Sequence, residues 1–237
     1  MRLTLTPSFL ELFPDAVLGV AVARGVDNAG EDAALTARLR EAEALIGQRL
    51  RDQALAEHPR VAVWREAYRK FGAKPKDYPS SVENLLRRAL KGEVLLHINK
   101  IVDIYNAVSL ETLLPAGAED LDAIEGDVAL AVAGEGEAPV KLLGEPEARP
   151  PRRGEVIYRD RAGAICRRWN WKEADRTRIT AATRNALLVV EGLPPIERSA
   201  VSSAIEEIAR AIPKHCGGAV VTALLDRERP VLELAID

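Results

Sequence analysis

Aromatic, cysteine and histidine side chains are all scarce in this chain, and each scarcity closes off a line of chemistry. Aromatics make up 4% of the 237 residues while 47% are hydrophobic, so the apolar content comes from Ala, Leu and Val. That is enough for one large domain or two small ones. The two cysteines, Cys166 and Cys216, show neither metal-ligand spacing nor a disulfide framework, which fits a reduced, cytoplasmic setting. His58, His97 and His215 are scattered, with no His-x-x-His or Glu-x-x-His pair, so no metal site is expected. Walker and Rossmann glycine patterns are missing, which argues against nucleotide hydrolysis and redox chemistry, and no cofactor is expected. No run approaches the ~20 apolar residues needed to span a bilayer, and Met1-Arg-Leu-Thr-Leu-Thr lacks the apolar stretch of a signal peptide. The formal net charge of -3 gives no bulk attraction to nucleic acid, though a local basic patch can still supply one.

What is present reads as several short strands mixed with helices. Ala16–Ala23 is a short buried strand, preceded by alternation at Leu3 and Leu5. Amphipathic spacing predicts helices over Glu31–Arg51, Val61–Phe71, Val82–Leu90 and Ser199–Ile212, with Ser80 or Ser81 capping the third. Strands are expected at Val128–Ala133, Val140–Leu143, Gly154–Tyr158, Ala164–Trp169 and Asn185–Glu191. A closing hairpin is expected from Gly217–Leu225 and Pro230–Ile236 across Asp226–Arg229. Without regular βαβ alternation, the fold class is α+β.

Two stretches stand out. In His97-Ile-Asn-Lys-Ile-Val-Asp-Ile-Tyr-Asn106, the polar residues Asn99, Asp103 and Asn106 fall at i, i+4 and i+7, one face of a helix. Left unpaired and buried, each would cost roughly 1–3 kcal/mol, so they need partners: loops that they cap and tie down, each other, or a ligand. The second stretch, Cys166-Arg-Arg-Trp-Asn-Trp171 followed by Asp175-Arg176-Thr177, gathers much of the aromatic and guanidinium content. Trp169 and Trp171 can stack bases and Arg167 and Arg168 can contact phosphate. Alternatively, the two indoles share one strand face as ordinary packing, with Asn170 opposite. Beside two arginines the Cys166 thiol can have a lowered pKa, but no base is placed to activate it. Residues 149–184 are rich in arginine and Glu119–Glu147 is almost wholly acidic. The basic sector can dock an RNA end, or the two sectors can neutralise one another as surface pairs.

Asn99-Lys-Ile-Val-Asp103-Ile-Tyr-Asn106, Pro115 and Asp120-Leu-Asp122-Ala-Ile-Glu-Gly126 together resemble the B3/B4 region of the bacterial phenylalanyl-tRNA synthetase beta subunit. Free-standing B3/B4 proteins carry a similar Cys-Arg-Arg-Trp-Asn-Trp step, then Asp-Arg-Thr and Thr183-Arg-Asn185. The resemblance covers roughly Trp64 to Pro195. It implies a B3/B4-like α+β fold over residues 61–237, with residues 1–60 as a strand–helix layer added to the same domain. In the synthetase this module hydrolyses tyrosine wrongly esterified to tRNA. The resemblance therefore implies trans-acting deacylation of mischarged aminoacyl-tRNA, with the aminoacylated acceptor end as partner. On that reading Asn99, Asp103 and Asn106 are the catalytic polar groups. Arg167, Arg168, Trp169, Asn170 and Trp171 hold the acceptor end, supported by Asp175 and Arg176, and Glu191 selects the side chain. The sequence departs from the synthetase in three places: the glycine-rich segment gives way to the Trp-Asn-Trp step, a histidine gives way to Gly117, and Glu191 stands about two residues farther from Asn185 than in the family pattern. Rival readings are a non-catalytic RNA-binding module and an amino-acid sensor built on the same pocket.

Overall fold

The computed structural model describes residues 1–234. In chain order it comprises β1 (Arg2–Leu5), α1 (Pro7–Leu12), β2 (Val17–Arg24), α2 (Ala33–Arg49), α3 (Pro59–Lys70), α4 (Ser81–Leu90) and α5 (Lys100–Thr112). There follow β3 (Ala116–Asp120), β4 (Val128–Val132), β5 (Val140–Lys141), β6 (Ala148–Arg149), β7 (Val156–Asp160), β8 (Gly163–Arg167), β9 (Lys172–Glu173) and β10 (Ala186–Gly192). The described chain closes with α6 (Arg198–Cys216), β11 (Ala219–Leu225) and β12 (Val231–Glu233). The α+β class is as expected, and among the described residues no helix is long and apolar enough to cross a membrane.

The strands form a six-stranded sheet, β12-β1-β4-β7-β8-β9, and a four-stranded sheet, β11-β2-β10-β3, beside a small β5-β6 pair. β1 pairs β4 in parallel, and every other pairing in the two large sheets is antiparallel. The segment 1–60 is therefore woven into both sheets, through β1 and β2.

Alternation places the two faces of the four-stranded sheet in different cores. Leu18, Val20 and Val22 of β2 and Leu187 of β10 join β1, β4 and β7 and the helices α3 and α4 in one core. Ala21, Ala23, Leu188 and Val190 face the other way, onto α5 and α6. The gap between the two sheets thus belongs to the first core, and the site opens there.

α6 lies close on this sheet because β2 and β10 carry glycines beneath it. A Cβ on Gly192 would stand 2.5 Å from a methyl of Val201, and one on Gly19 would stand 3.0 Å from Ile205 Cβ. Gly192→Ala is expected to destabilise by about 1–3 kcal/mol through overpacking, read as a lower urea midpoint at unchanged m-value.

The expected closing hairpin is corrected. The turn exists, with the Asp226 N–H donating to the Arg229 carbonyl. However, β11 pairs β2 and β12 pairs β1, so the two strands enter different sheets. Residues 235 and 236 of the expected second strand lie outside the described residues. The helix at Pro7–Leu12 escaped the sequence reading, being under two turns long.

Candidate functional site

A cavity of about 270 Å³ opens between the two sheets. One wall is the four-stranded sheet. On β10 the residues Leu187, Val189 and Glu191 share a face, and their register partners Glu119 and Gly117 on β3 continue it. The opposite wall comes from Val128, Tyr158 and Ile165 of the six-stranded sheet. The mouth is formed by Ser81 and Asn84 of α4, Leu143, Trp171 and Lys172. β3 is an edge strand, so its outer backbone groups are not in the ladder. The 173–177 segment lies along that edge: the Asp120 N–H donates to the Thr177 carbonyl (2.8 Å), and a Cβ on Gly117 would stand 3.3 Å from Glu173 Oε1.

The turn Arg168–Trp171, which joins β8 to β9, frames the cavity. Arg168 (φ 49°) and Trp169 (φ 64°) are both left-handed. For bulky residues that strain costs about 1–3 kcal/mol each and persists only where the surroundings over-determine it. Here they do. The Arg168 N–H donates to Glu155 Oε1 (3.1 Å), and its guanidinium lies 3.7 Å from the Tyr78 ring centre and 4.5 Å from that of Trp171. The Trp169 ring sits among Phe9 (4.9 Å), Phe13 (4.8 Å) and Trp64 (5.0 Å), and the residue's backbone N–H donates to the Val156 carbonyl (2.7 Å). Asn170 accepts from Tyr68 Oη (2.9 Å), and its carbonyl accepts from the Ser81 N–H (2.9 Å) at the start of α4.

Three carboxyls meet this space. Glu191, 2% exposed, accepts from Tyr158 Oη (2.5 Å), Trp169 Nε1 (2.7 Å) and Asn170 Nδ2 (2.5 Å). Burial pushes its pKa up to about 7, although these three donors favour the ionised form. Half-buried Glu173 is likewise pushed up to about 7 by burial, opposed by the Ala118 N–H. Glu119, 9% exposed, is held well above the usual carboxylate range by burial and by the neighbouring Glu173 charge. Its Oε2 has no hydrogen-bond partner, and neither has the buried hydroxyl of Thr177. Thr177 is close enough to lower the Glu119 pKa somewhat, but the pair lacks good hydrogen-bond geometry. Among the described residues the one cation lining the cavity, Lys172, turns its Nζ onto Glu145 (2.5 Å).

The raised Glu191 pKa sets a sign for stability against pH. The folded state holds this proton longer than the unfolded chain does. Its contribution is therefore fully present below the ordinary value of 4.5 and is lost as pH rises through about 7. The loss is on the order of 3 kcal/mol at pH 8. Glu191→Gln is expected to flatten the fall in unfolding free energy between pH 5 and 8, measured by urea titration at each pH. An unchanged slope would refute the assignment.

The structure separates the two stretches singled out in the sequence. Asn99 is the N-cap of α5, accepting from the Val102 N–H (3.0 Å) and donating to the Ile179 carbonyl (3.3 Å). Asp103 is buried, with Oδ2 on His97 Nδ1 (2.6 Å), and that bond holds the His97 pKa up. Asn106 is half-buried on the same helix. None of the three lines the cavity; Asn99 and Asp103 Oδ2 tie loops to α5 rather than facing the Trp-Asn-Trp step. The other motif residues are ties as well: Thr183 Oγ1 donates to Asp120 (2.6 Å) and Asn185 Nδ2 to Asp122 (2.9 Å).

In the second stretch, Trp169, Asn170, Trp171 and Glu191 do meet at the cavity. Arg167 is buried on Glu155 through two 2.8 Å hydrogen bonds, out of reach of a phosphate. Asp175 pairs with Arg178, and Arg176 grips Asp160. The acidic and basic sectors neutralise one another: Glu125, Glu135, Glu137, Glu145 and Glu147 pair with Arg161, Arg153, Arg159, Lys172 and Arg149. The Cys166 thiol, beside the cavity, is pushed well up by burial rather than lowered by its arginine neighbours, because their guanidiniums point onto Glu155. Sequence reasoning missed Glu119, Glu173 and Tyr158. Glu173 lay inside the flagged motif, but nothing in its spacing distinguishes it from a solvated charge. Among the described residues, no group of three His, Cys, Asp or Glu side chains is placed to hold a metal ion.

This arrangement has a family. Residues 63–217, well over half of the chain, match the model of the B3/4 domain. The chain belongs to the B3/4 domain family. Among solved structures, it is similar to the crystal structure of an N-terminal fragment of the phenylalanyl-tRNA synthetase beta-subunit from Pyrococcus horikoshii. The identity is 12% and the TM-score 0.49, over 92% of this chain and 49% of that one. The chain thus spans about half the length of that fragment. No curated protein matches it.

Proposed function

We propose that this protein hydrolyses the ester of mischarged aminoacyl-tRNA in trans, with the aminoacyl group seated in the cavity between the sheets. The observation that carries the reading is the cavity itself. At about 270 Å³ it suits an amino-acid side chain rather than a nucleotide, being at the small end of ligand pockets. Its family, the B3/4 domain, is one whose resemblance to the synthetase beta subunit already implied editing.

Hydrolysis needs a water near the ester carbonyl and a group to take its proton. Glu173 fits the second need. It lines the cavity near its mouth, and its pKa of about 7 matches the working pH, where a general base is most effective. Trp171, half-buried at the mouth, offers a face for the terminal base, and Asn170 orients the acyl group. A free ribose hydroxyl of the terminal adenosine assists, so no serine or cysteine nucleophile is required. The cavity, not the α5 row of Asn99, Asp103 and Asn106, is the reaction site. Residues 1–60 supply strands to both sheets and belong to the same domain.

Glu173→Gln is expected to lower single-turnover deacylation roughly 10²–10⁴-fold, with tRNA affinity kept. The check is loss of labelled amino acid from a panel of mischarged tRNAs, alongside filter binding of the same tRNAs. Deacylation unchanged in the variant refutes Glu173 as the base. Wild-type binding with no turnover on any charged tRNA refutes hydrolysis.

A further inference from the structure

The cavity is electrostatically incomplete. Glu119, Glu173 and Glu191 line it, and Lys172, the only lining cation among the described residues, is paired with Glu145. Arg176, the nearest other cation to Glu119, is bidentate on Asp160. Glu191 receives one donor that cannot turn round, the Trp169 indole N–H, and beside it the Asn170 amide, whose oxygen is taken by Tyr68 Oη, so its site suits a carboxylate. Glu119 supplies a second and independent sign. It is 9% exposed and shares the cavity-facing side of β3 with Gly117, yet its Oε2 has no hydrogen-bond partner. An acceptor left bare in a buried position costs about 1–3 kcal/mol, and more if charged. Such an atom is one a ligand donor would complete. The remaining walls, Val128, Ile165, Leu187 and Val189, are apolar and suit a methylene stem. Among the described residues these carboxyls are not grouped as a metal site, so the missing cation is organic.

We propose that the pocket takes an amino acid with a cationic side chain, a guanidinium or ammonium on an aliphatic stem, with Glu119 and Glu191 as the residues that select it. This rests on the deacylase reading for its role, but it makes a separate claim about the pocket. One α-ammonium, common to every aminoacyl ester, would answer one carboxyl and leave two without a countercharge. A second cation on the side chain answers the rest.

The test compares wild-type hydrolysis of one tRNA body esterified with arginine, lysine, norleucine, methionine or tyrosine. Arginyl or lysyl ester is expected to be cleaved at least about tenfold faster than the neutral ones. Glu119→Gln is expected to erase most of that preference, bringing the ratio of kcat/KM for the cationic esters over norleucyl ester from about tenfold or more down towards one. If neutral esters are cleaved as fast by the wild type, the proposal is overturned and the deacylase reading stands. If no ester is cleaved, the deacylase reading falls, and calorimetry with free L-arginine, L-lysine and L-norleucine decides the pocket. Binding of the two cations alone, weakened by Glu119→Gln, supports it, and no such binding overturns it. The wild-type panel and calorimetry do not depend on how well the variant folds.

Discussion

Trp169→Ala is expected to cost about 3–5 kcal/mol of stability, the range for removing a buried tryptophan. The reason lies in where the indole sits. It is 1% exposed and packs against Phe9, Phe13 and Trp64, bringing α1 and α3 together with the β8–β9 turn. Its loss leaves a cavity among rings that are fixed by α1 with its C-cap and by α3 and cannot all collapse into it. A second effect adds to the first. The indole N–H is one of three donors on Glu191, so its removal leaves a buried carboxylate with two. Alanine also inherits the left-handed backbone of position 169, so no strain is relieved. Guanidinium unfolding followed by far-UV circular dichroism measures the loss. A change under about 1 kcal/mol, the level of an ordinary surface substitution or less, would mean that the ring cluster is not the hub described.

Glu155→Ala should be of similar size, about 3–5 kcal/mol, through charge rather than volume. Glu155 is 4% exposed, and burial alone would raise its pKa, but the Arg167 and Arg168 guanidiniums overcome that and hold it below the usual carboxylate range. Removing it strands Arg167, itself 5% exposed, with a full charge whose main partner is gone. It also removes the acceptor of the Arg168 N–H and so loosens the first left-handed residue of the turn. The pH signature is opposite to that of Glu191. Because the folded pKa is depressed, this stabilisation is present above the ordinary value of 4.5 and is lost as pH falls through the folded pKa. Unfolding free energies at pH 7 and pH 3 should therefore differ less in the variant than in the wild type. Equal differences would show that the pair contributes nothing. Glu155→Met, close in volume and apolar, would still strand Arg167, whereas a double change of Glu155 and Arg167 to apolar residues should recover much of the loss.

How much of this was legible beforehand depends on the range of the interaction involved. α2 and α4 were readable because apolar spacing and a cap lie within one segment: Leu35, Leu39, Ala42 and Ile46 follow Asp32, and Leu85, Leu86 and Ala89 follow Ser80. β10 was readable from its continuous apolar run. The pairing of β11 with β2 and of β12 with β1 was not, since a turn at Asp226–Arg229 says nothing about which sheet each strand joins. The row Asn99, Asp103 and Asn106 shows a different failure. Spacing fixes which helix face a side chain occupies, but not whether a loop or a ligand meets it, and in this fold loops do. The strand expected at Ala164–Trp169 ends at Arg167, and the Trp-Asn-Trp step is a turn. Nothing in its composition announces left-handed backbone, because neither Arg168 nor Trp169 is a residue type that favours it. Glu119 and Glu173 were invisible for the simplest reason. A glutamate becomes chemically interesting only once other elements have buried it.

The pairing of residues 125–147 with 149–172 has a consequence for encounters in solution. Charges cancelled over a few ångströms project little field beyond about 8–10 Å at physiological ionic strength. A polyanion meeting such a surface has few condensed counterions displaced from it, and the logarithm of its association constant should then decline only gently as salt is added. Whatever partner this face admits, it is chosen at close range by fit and not gathered from a distance.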